Sequence, residues 1–155
     1  MPFLLSQKSL DKLKPPVHKD LAAVVKRGLH KSAVAYEVTE ALRSVKRQSD
    51  LLASGATWTM DSRHLTGHAV DLVAMVSGNV RWDWPLYYDI ARAMRIASLE
   101  LCVPLTWGGV WDTPLDKLTD DLEAEVSGYA MRMKRKGKRA KADGPHFELL
   151  RSVYP

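Results

Sequence analysis

The chain has 155 residues, enough for one domain with a single hydrophobic core. Apolar residues make up 46% and charged residues 26%, values typical of globular proteins, which excludes a largely disordered chain. The net charge of +5 favours anionic partners only weakly, and the single cysteine, Cys102, cannot form an internal disulfide and is expected to be buried.

The amino terminus carries only a short apolar run, Phe3-Leu4-Leu5, before it turns polar. A secretory signal needs an apolar core of about 7–15 residues, and a membrane-spanning helix needs about 20. No transmembrane segment is therefore predicted. We expect the protein to accumulate in the cytoplasm of the cell that makes it.

Helices and single strands are interspersed along the chain. Helical spacing of apolar residues predicts helices over 20–29 and 85–101, and residues 39–42 lead into a polar helix that runs to about Ser54 and stops near Gly55. Short apolar runs predict strands over 33–38, 69–76, 103–107 and 146–150. This arrangement indicates an α+β domain with a small, mainly antiparallel sheet flanked by helices.

Residues 110–142 differ in character from the rest of the chain. Thr113 offers a helix N-cap, Pro114 suits the first helical position, and apolar residues continue at steps of three and four to Met133. These features predict a helix of about five turns, with an acidic start and a basic end that suit the helix dipole.

A strongly basic run follows in this segment, with seven Lys or Arg residues among the ten positions 132–141. One interpretation is a solvated, mobile loop. The other is an electrostatic contact with an anionic polymer such as nucleic acid or the bacterial envelope. Because no aromatic residues interleave the run, a base-stacking platform is disfavoured and no specific nucleic-acid site is predicted.

Two distant segments carry the residue types of a catalytic metal site. Residues 62–71 contain His64 and Asp71, and residues 143–148 contain His146 between two carboxylates. Two histidine nitrogens and one carboxylate oxygen suit zinc and leave a fourth position for water. An unpaired Asp71 inside an apolar run would be costly to bury, and a bound cation would remove that cost.

Asp143 is the predicted general base of this site. It precedes His146 by three residues across a Gly-Pro turn, which could aim its carboxylate at the reacting water. Glu148 is the competing candidate, because the two-residue period of a strand places it on the same face as His146.

His68 and Arg43 are further candidates. His68 follows His64 by four residues, as in the zincin motif, but Leu65 stands where that motif has glutamate. We therefore expect His68 beside the metal ligands or facing the substrate. Arg43 follows an apolar strand and could stabilise an oxyanion or bind a substrate carboxylate, the alternative being a solvated helix arginine.

These motifs resemble the zinc D,D-carboxypeptidase and L-alanyl-D-glutamate peptidase family, and in particular its bacteriophage endolysin branch. The similarity rests on His64, Gly67, Ala69 and Asp71 together with Asp143-x-x-His146. It extends to the segments 17–21, 39–44, 62–72, 82–88 and 107–109. The resemblance implies a D,D-peptidase or hedgehog-like zinc peptidase fold.

The resemblance also implies a set of site residues. Zinc (Zn²⁺) would be held by His64, Asp71 and His146, with Asp143 as the general base. The residues implied to contact the substrate or line the cleft are Arg43, Ser62 and Gln48, with His68 as a further candidate. Two departures stand out: Ala41 replaces a glycine that is usual in endolysins, and 110–142 resembles an insertion.

The implied activity is hydrolysis of the L-Ala–D-Glu bond in the peptidoglycan stem peptide, leading to host cell lysis. The enzyme would be a monomer with a single peptidase domain over 1–155. It would stay in the cytoplasm of the infected host until released to the periplasm and cell wall. Two alternatives remain: a D-Ala–D-Ala carboxypeptidase with the same zinc chemistry, and a non-catalytic module that binds nucleic acid or anionic wall polymers through 132–141.

Overall fold

The computed structural model describes residues 2–155, in which an open antiparallel sheet packs against helices. The strands are β1 (Ala35–Glu40), β2 (Ala69–Val76), β3 (Asn79–Arg81), β4 (Leu105–Trp107) and β5 (His146–Leu149). Their order is β1-β2-β5-β4, and β3 pairs with the carboxyl-terminal part of β2. The α+β fold with a small antiparallel sheet is confirmed.

The α-helices are α1 (Gln7–Lys12), α2 (Lys19–Lys31), α3 (Val45–Ala53), α4 (Trp84–Leu101) and α5 (Leu122–Arg135). The helices α2 and α4 pack against each other, and α4 also lies against β2. Two 3₁₀ turns, Arg63–Thr66 and Leu115–Lys117, interrupt the loops. Within residues 2–155, no helix combines the length and apolar character that crossing a bilayer requires.

Side-chain alternation separates the hydrophobic core from a polar face of the sheet. Alternate residues of the two central strands join the core: Val70, Leu72, Phe147 and Leu149. The residues between them, Asp71, His146 and Glu148, therefore project from the opposite face. Strand pairing places Asp71 directly opposite His146, so two distant segments of the chain meet at one point of the sheet.

The segment 110–142 differs from its predicted form. The expected five-turn helix is a 3₁₀ turn followed by α5, which begins only at Leu122 because Asp121, rather than Thr113, caps it by accepting a hydrogen bond from the Ala124 amide. The apolar residues Leu115 and Leu118 are fully or almost fully buried. Their spacing along the sequence is helical, yet they pack into the core from the segment that precedes α5.

Two further expectations change. The short helix α1 lies in a region for which no element was predicted; Ser6 caps it by accepting a hydrogen bond from the Ser9 amide. Cys102 is exposed rather than buried, because it ends α4 in the left-handed conformation, with φ of 55°, and leaves the apolar face of the helix there.

Candidate active site

Three side chains from separate elements meet on the polar face of the sheet. His64 Nε2 lies 3.4 Å from Asp71 Oδ1, and His146 Nδ1 lies 3.3 Å from the same oxygen. One potential ligand atom from each residue falls within 4.8 Å of the other two. Both histidines are buried and Asp71 is half-buried, so this cluster is set into the protein.

The Asp71 carboxylate has an unmet requirement that a cation would satisfy. Its Oδ1 atom is buried and has no hydrogen-bond partner, although His64 Nε2 and His146 Nδ1 lie 3.4 and 3.3 Å away. Burial opposes ionisation, but the contacts and charges of His146 and His64 outweigh it and hold the pKa of Asp71 below its usual range. An ionised carboxylate facing two imidazole nitrogens fits a divalent metal ion.

In each histidine, the ring nitrogen that does not face Asp71 is already held by a hydrogen bond. His64 Nδ1 lies 2.7 Å from the Ala41 carbonyl, which can only accept, so Nδ1 donates and Nε2 keeps its lone pair. His146 Nε2 lies 2.9 Å from Glu148 Oε1, which leaves Nδ1 facing the cluster. Such outer hydrogen bonds fix the tautomer and ring orientation of metal-binding histidines.

Local backbone structure explains the position of His64. The residue sits in the 3₁₀ turn Arg63–Thr66, where the Ser62 side chain accepts a hydrogen bond from the His64 amide at 3.3 Å. The turn ends at Gly67 with φ of +74°, and a Cβ there would lie 2.5 Å from the Pro16 carbonyl oxygen. Glycine is required at this position because the left-handed turn also passes close to another backbone segment.

Asp143 lies at the edge of the cluster on the loop that leads into β5. Its amide donates to the Gly108 carbonyl at 2.8 Å, and its own carbonyl accepts from the His146 amide at 3.2 Å. Desolvation by the cleft walls, and then the Asp71 charge, raise the pKa of Asp143, while nearby His146, His64 and Arg43 lower it less. A carboxyl group with a raised pKa accepts a proton more readily than an ordinary carboxylate.

Comparison with known proteins assigns this chain to a family. A model of the phage L-alanyl-D-glutamate peptidase family matches residues 1–150. The chain belongs to this family. It is therefore a peptidase, as the sequence motifs predicted.

Two of the following three similar proteins cover nearly all of this chain. The L-alanyl-D-glutamate peptidase of Escherichia phage T5 is 27% identical over 149 residues, covering 94% of each chain. The enzyme of the same name from Listeria phage A118 is 28% identical over 92 residues, which cover 59% of this chain and 31% of that one. The crystal structure of the Serratia marcescens L-Ala D-Glu endopeptidase ChiX superposes with a TM-score of 0.75 at 37% identity, covering 98% of this chain and 94% of ChiX.

Arg43 reaches the cluster of this peptidase from the end of β1. Its guanidinium donates two hydrogen bonds of 2.8 Å to the Glu40 carboxylate, and Nη2 lies 3.8 Å from Asp71 Oδ2. A third bond of 2.8 Å runs from Nη1 to Gln48 Oε1. The side chain is thus clamped on two sides, which is unlike a solvated helix arginine.

Gln48 and His68 do not lie where the sequence placed them. Gln48 is completely buried behind Arg43, where its amide donates to the Thr59 carbonyl at 2.6 Å, so it does not line the cleft. His68 packs against His18, with ring centroids 5.6 Å apart, outside the cleft. The left-handed turn at Gly67 separates His68 from His64, whereas a continuous helix would have put both on one face.

A cleft of about 750 Å³ opens over the cluster and includes Ser62 in its lining. Residues that the sequence analysis did not single out form much of its far wall. The Trp111 ring lies 5.0 Å from the His146 ring, and its Nε1 donates to the Lys141 carbonyl at 2.8 Å. The proximity of the Trp107-Gly108-Gly109 motif was the one sequence signal that pointed toward Trp111.

The replacement of glycine by Ala41 is compatible with this geometry. Positive φ values in residues 2–155 occur outside glycine only at Ser77 and Cys102, so Ala41 adopts a backbone conformation open to any residue. Its carbonyl is the group that accepts the hydrogen bond from His64.

Proposed function

We propose that this peptidase is a zinc-dependent endolysin that hydrolyses the L-Ala–D-Glu bond of the peptidoglycan stem peptide and so causes host cell lysis. The observation that carries the proposal is the convergence of His64, Asp71 and His146, with one buried Asp71 oxygen lacking a partner. It is supported by relatives named for that bond: the T5 and A118 peptidases and ChiX.

In this proposal the ligand atoms are His64 Nε2, His146 Nδ1 and an Asp71 carboxylate oxygen. Two neutral nitrogens and one anionic oxygen are a donor set that zinc accepts readily. When bound, zinc would supply Lewis-acid polarisation of the scissile carbonyl and acidification of water. Ala41 and Glu148 hold the two imidazoles in the required tautomers.

Asp143 carries the proton chemistry in this mechanism. Its carboxylate accepts a proton from the attacking water and later delivers it to the leaving amine nitrogen. Glu148, the competing candidate, is already engaged by His146 Nε2 at 2.9 Å and is buried, with Arg63 and Arg151 on its other side. Its geometry therefore favours an orienting role.

Arg43 stabilises negative charge on the substrate oxygen during the reaction. Because Glu40 and Gln48 hold the guanidinium in place, little reorganisation is needed when charge develops. Gln48 acts through Arg43 and does not itself contact the substrate.

Mass spectrometry of purified Gram-negative peptidoglycan digested with the zinc-loaded protein tests this function. We expect free stem peptides that begin at D-Glu, with L-Ala left on the glycan. Asp143→Asn should lower the rate by about 10²–10⁴-fold while metal binding persists, and Asp11→Asn, in the distant helix α1, should not. Loss of only terminal D-Ala would indicate a D,D-carboxypeptidase instead, and an unchanged wall would favour a non-catalytic binding module.

We also propose that the basic run 132–141 contacts anionic groups of the bacterial envelope. Arg132 pairs with Asp112, but from Lys134 to Lys141 the basic side chains have no ion-pair partner within residues 2–155. An uncompensated cluster of this kind attracts polyanions.

The remaining proposals concern organisation and location. We propose a monomer whose residues 1–155 form one peptidase domain, with 110–142 as an inserted segment whose Leu115 and Leu122 share the common core. The phage origin of the relatives T5 and A118 supports accumulation in the cytoplasm of the infected host until release to the periplasm and cell wall.

A further inference from the structure

One positive charge in the cleft is left unused by this mechanism. Four Lys or Arg side chains line the cleft in the described part of the chain. Three of them form ion pairs with neighbouring carboxylates: Arg43, Arg63 and Arg151. The fourth, Lys141, has no carboxylate partner and no side-chain hydrogen bond among residues 2–155.

Lys141 lines the cleft and contacts two tryptophans, one through its side chain and the other through its main chain. Its Nζ lies 4.5 Å from the centroid of the Trp58 ring on one wall. Its main-chain carbonyl accepts the hydrogen bond from Trp111, whose ring packs on His146. The backbone of Lys141 is thus tied to the candidate metal site through Trp111, while its ammonium group lies over Trp58.

The contact with Trp58 positions the charge without neutralising it. Trp58 is 54% exposed, and cation–π contacts at exposed sites are weak. The ring approaches one side of the ammonium group, so its N–H donors remain available to an anion. A cation held over an aromatic ring at the edge of a cleft suits a carboxylate ligand.

The loop that carries Lys141 and Asp143 also determines which half of the substrate lies near Lys141. Asp143 must reach the leaving nitrogen, and Lys141 precedes it by only two residues. In the proposed mechanism, the amine half of the substrate therefore lies beside residues 141–143, all of which line the cleft. In an L-Ala–D-Glu substrate this half begins with glutamate, which has two carboxyl groups and uses only one to join the next residue.

We propose that Lys141, positioned by Trp58, is a specificity residue that binds a free carboxylate of the stem peptide on the amine side of the scissile bond. The inference rests on the proposed L-Ala–D-Glu activity. Two sources offer the same chemistry: the free carboxylate of the D-Glu residue, and a free carboxylate on the residue that follows it.

Steady-state kinetics with three synthetic stem peptides test this subsite in the zinc-loaded protein. The first peptide has both carboxylates free, the second has the D-Glu carboxylate amidated, and the third has the following residue's carboxylate amidated. For the wild type, amidating the bound carboxylate should lower kcat/KM about three- to tenfold, the size expected for a partly exposed ion pair. Most of the change should be in KM, and it should shrink as salt is added.

Charge variants distinguish this role from a structural one. Lys141→Gln should cleave the free and amidated peptides equally well, and Lys141→Arg should restore the preference because it keeps the charge. Lys26→Gln removes an equivalent exposed charge from α2, far along the chain, and should keep the wild-type preference.

Each outcome decides the proposal. If the wild type cleaves only the second peptide more slowly than the first, and Lys141→Gln removes that difference, the bound group is the D-Glu carboxylate. The same result for the third peptide alone assigns the carboxylate of the following residue. If the wild type cleaves all three peptides equally, or if Lys141→Gln retains the preference, the subsite is refuted while the peptidase activity stands. If no peptide is cleaved between L-Ala and D-Glu, the proposed function fails and the subsite fails with it.

Discussion

At His146 the two ring nitrogens have different tasks. Nδ1 faces Asp71 across the β2–β5 pair, and Nε2 is hydrogen-bonded to Glu148. Glu148 is itself buried between Arg63 and Arg151, so its carboxylate is held in place from the side opposite the imidazole. In the proposed metal site, this chain of contacts would orient His146 through residues that do not touch the metal.

Removing the Glu148 charge should therefore weaken metal binding. We expect Glu148→Gln to lower zinc affinity by about 10–100-fold, the usual effect of losing a partner behind a histidine ligand. Competition with a chromophoric chelator measures this directly, without an activity assay. Glu100→Gln removes a surface carboxylate that pairs with Arg27 and serves as the control. Equal affinity for both variants would show that Glu148 does not orient His146.

The ionisation of His146 predicts proton-linked metal binding. Burial opposes its positive charge, but contacts with Asp71 and Glu148 outweigh burial and raise the pKa of His146 to about 10 in the metal-free protein. A histidine nitrogen must lose its proton to bind a metal, so a bound ion would displace this proton. Below that pKa, apparent zinc affinity should rise with pH, and this group alone contributes about tenfold per pH unit.

Calorimetry at pH 7 in two buffers of different ionisation enthalpy checks this prediction. Release of about one proton from His146 for each zinc bound should make the observed enthalpy depend on the buffer. An enthalpy independent of the buffer would mean that His146 is already neutral before the metal binds.

At the scale of elements, the end of β4 positions Asp143, the proposed general base. The Gly108 amide donates to His146 and its carbonyl accepts from Asp143, so one residue anchors both. A Cβ at Gly108 would lie 2.2 Å from the Asp143 carbonyl oxygen and 3.0 Å from His146 Cβ. Neither neighbour is the end of a flexible side chain, so the loop itself would have to move.

Two glycine-to-alanine substitutions should therefore act in opposite directions. Gly108→Ala should displace Asp143 and His146, lowering both peptidase activity and zinc affinity. Gly128→Ala lies within α5, where the nearest obstacle is the flexible end of Arg132, and should stabilise the protein by about 0.4–1 kcal/mol. Thermal unfolding, activity and chelator competition compare the two. Similar losses in both variants would contradict this account.

Several elements were predictable because their patterns are local. The strand β2 has the bounds predicted for it, Ala69–Val76, because a nearly continuous apolar run is typical of a central strand. The predicted start of α5 was wrong because Thr113-Pro114 and Asp121 are both residues at which a helix can begin. The sequence alone does not show that Leu115 packs into the core from the segment before the helix.

At the scale of the whole molecule, positive charge is concentrated on one segment beside the cleft. Excising residues 114–140 would not isolate its effect, because Leu115, Leu118, Leu122 and Tyr129 are buried in the common core. Substituting exposed charges is the cleaner change, since it leaves that packing in place.

A variant with glutamine at positions 134, 135, 136 and 138 should bind anionic envelope material more weakly. Each removed contact should also reduce the salt dependence of binding, because screening acts on the same charges. Cleavage of a small soluble stem peptide should change little. Sedimentation with purified envelopes at several salt concentrations, alongside peptide kinetics, makes the comparison. Unchanged binding would exclude an envelope role for the run.

The sequence by itself determined the fold class, the family and the candidate ligand set, because strand periodicity and the chemistry of histidine and carboxylate side chains are properties of local residues. Only the tertiary structure decided that Glu148 holds His146, that Gln48 supports Arg43 from behind, and that His68 lies outside the cleft. Only the tertiary structure shows that the Lys141 side chain lies against the Trp58 ring. These relations depend on strand register and on contacts between loops far apart in the chain, which local spacing does not encode.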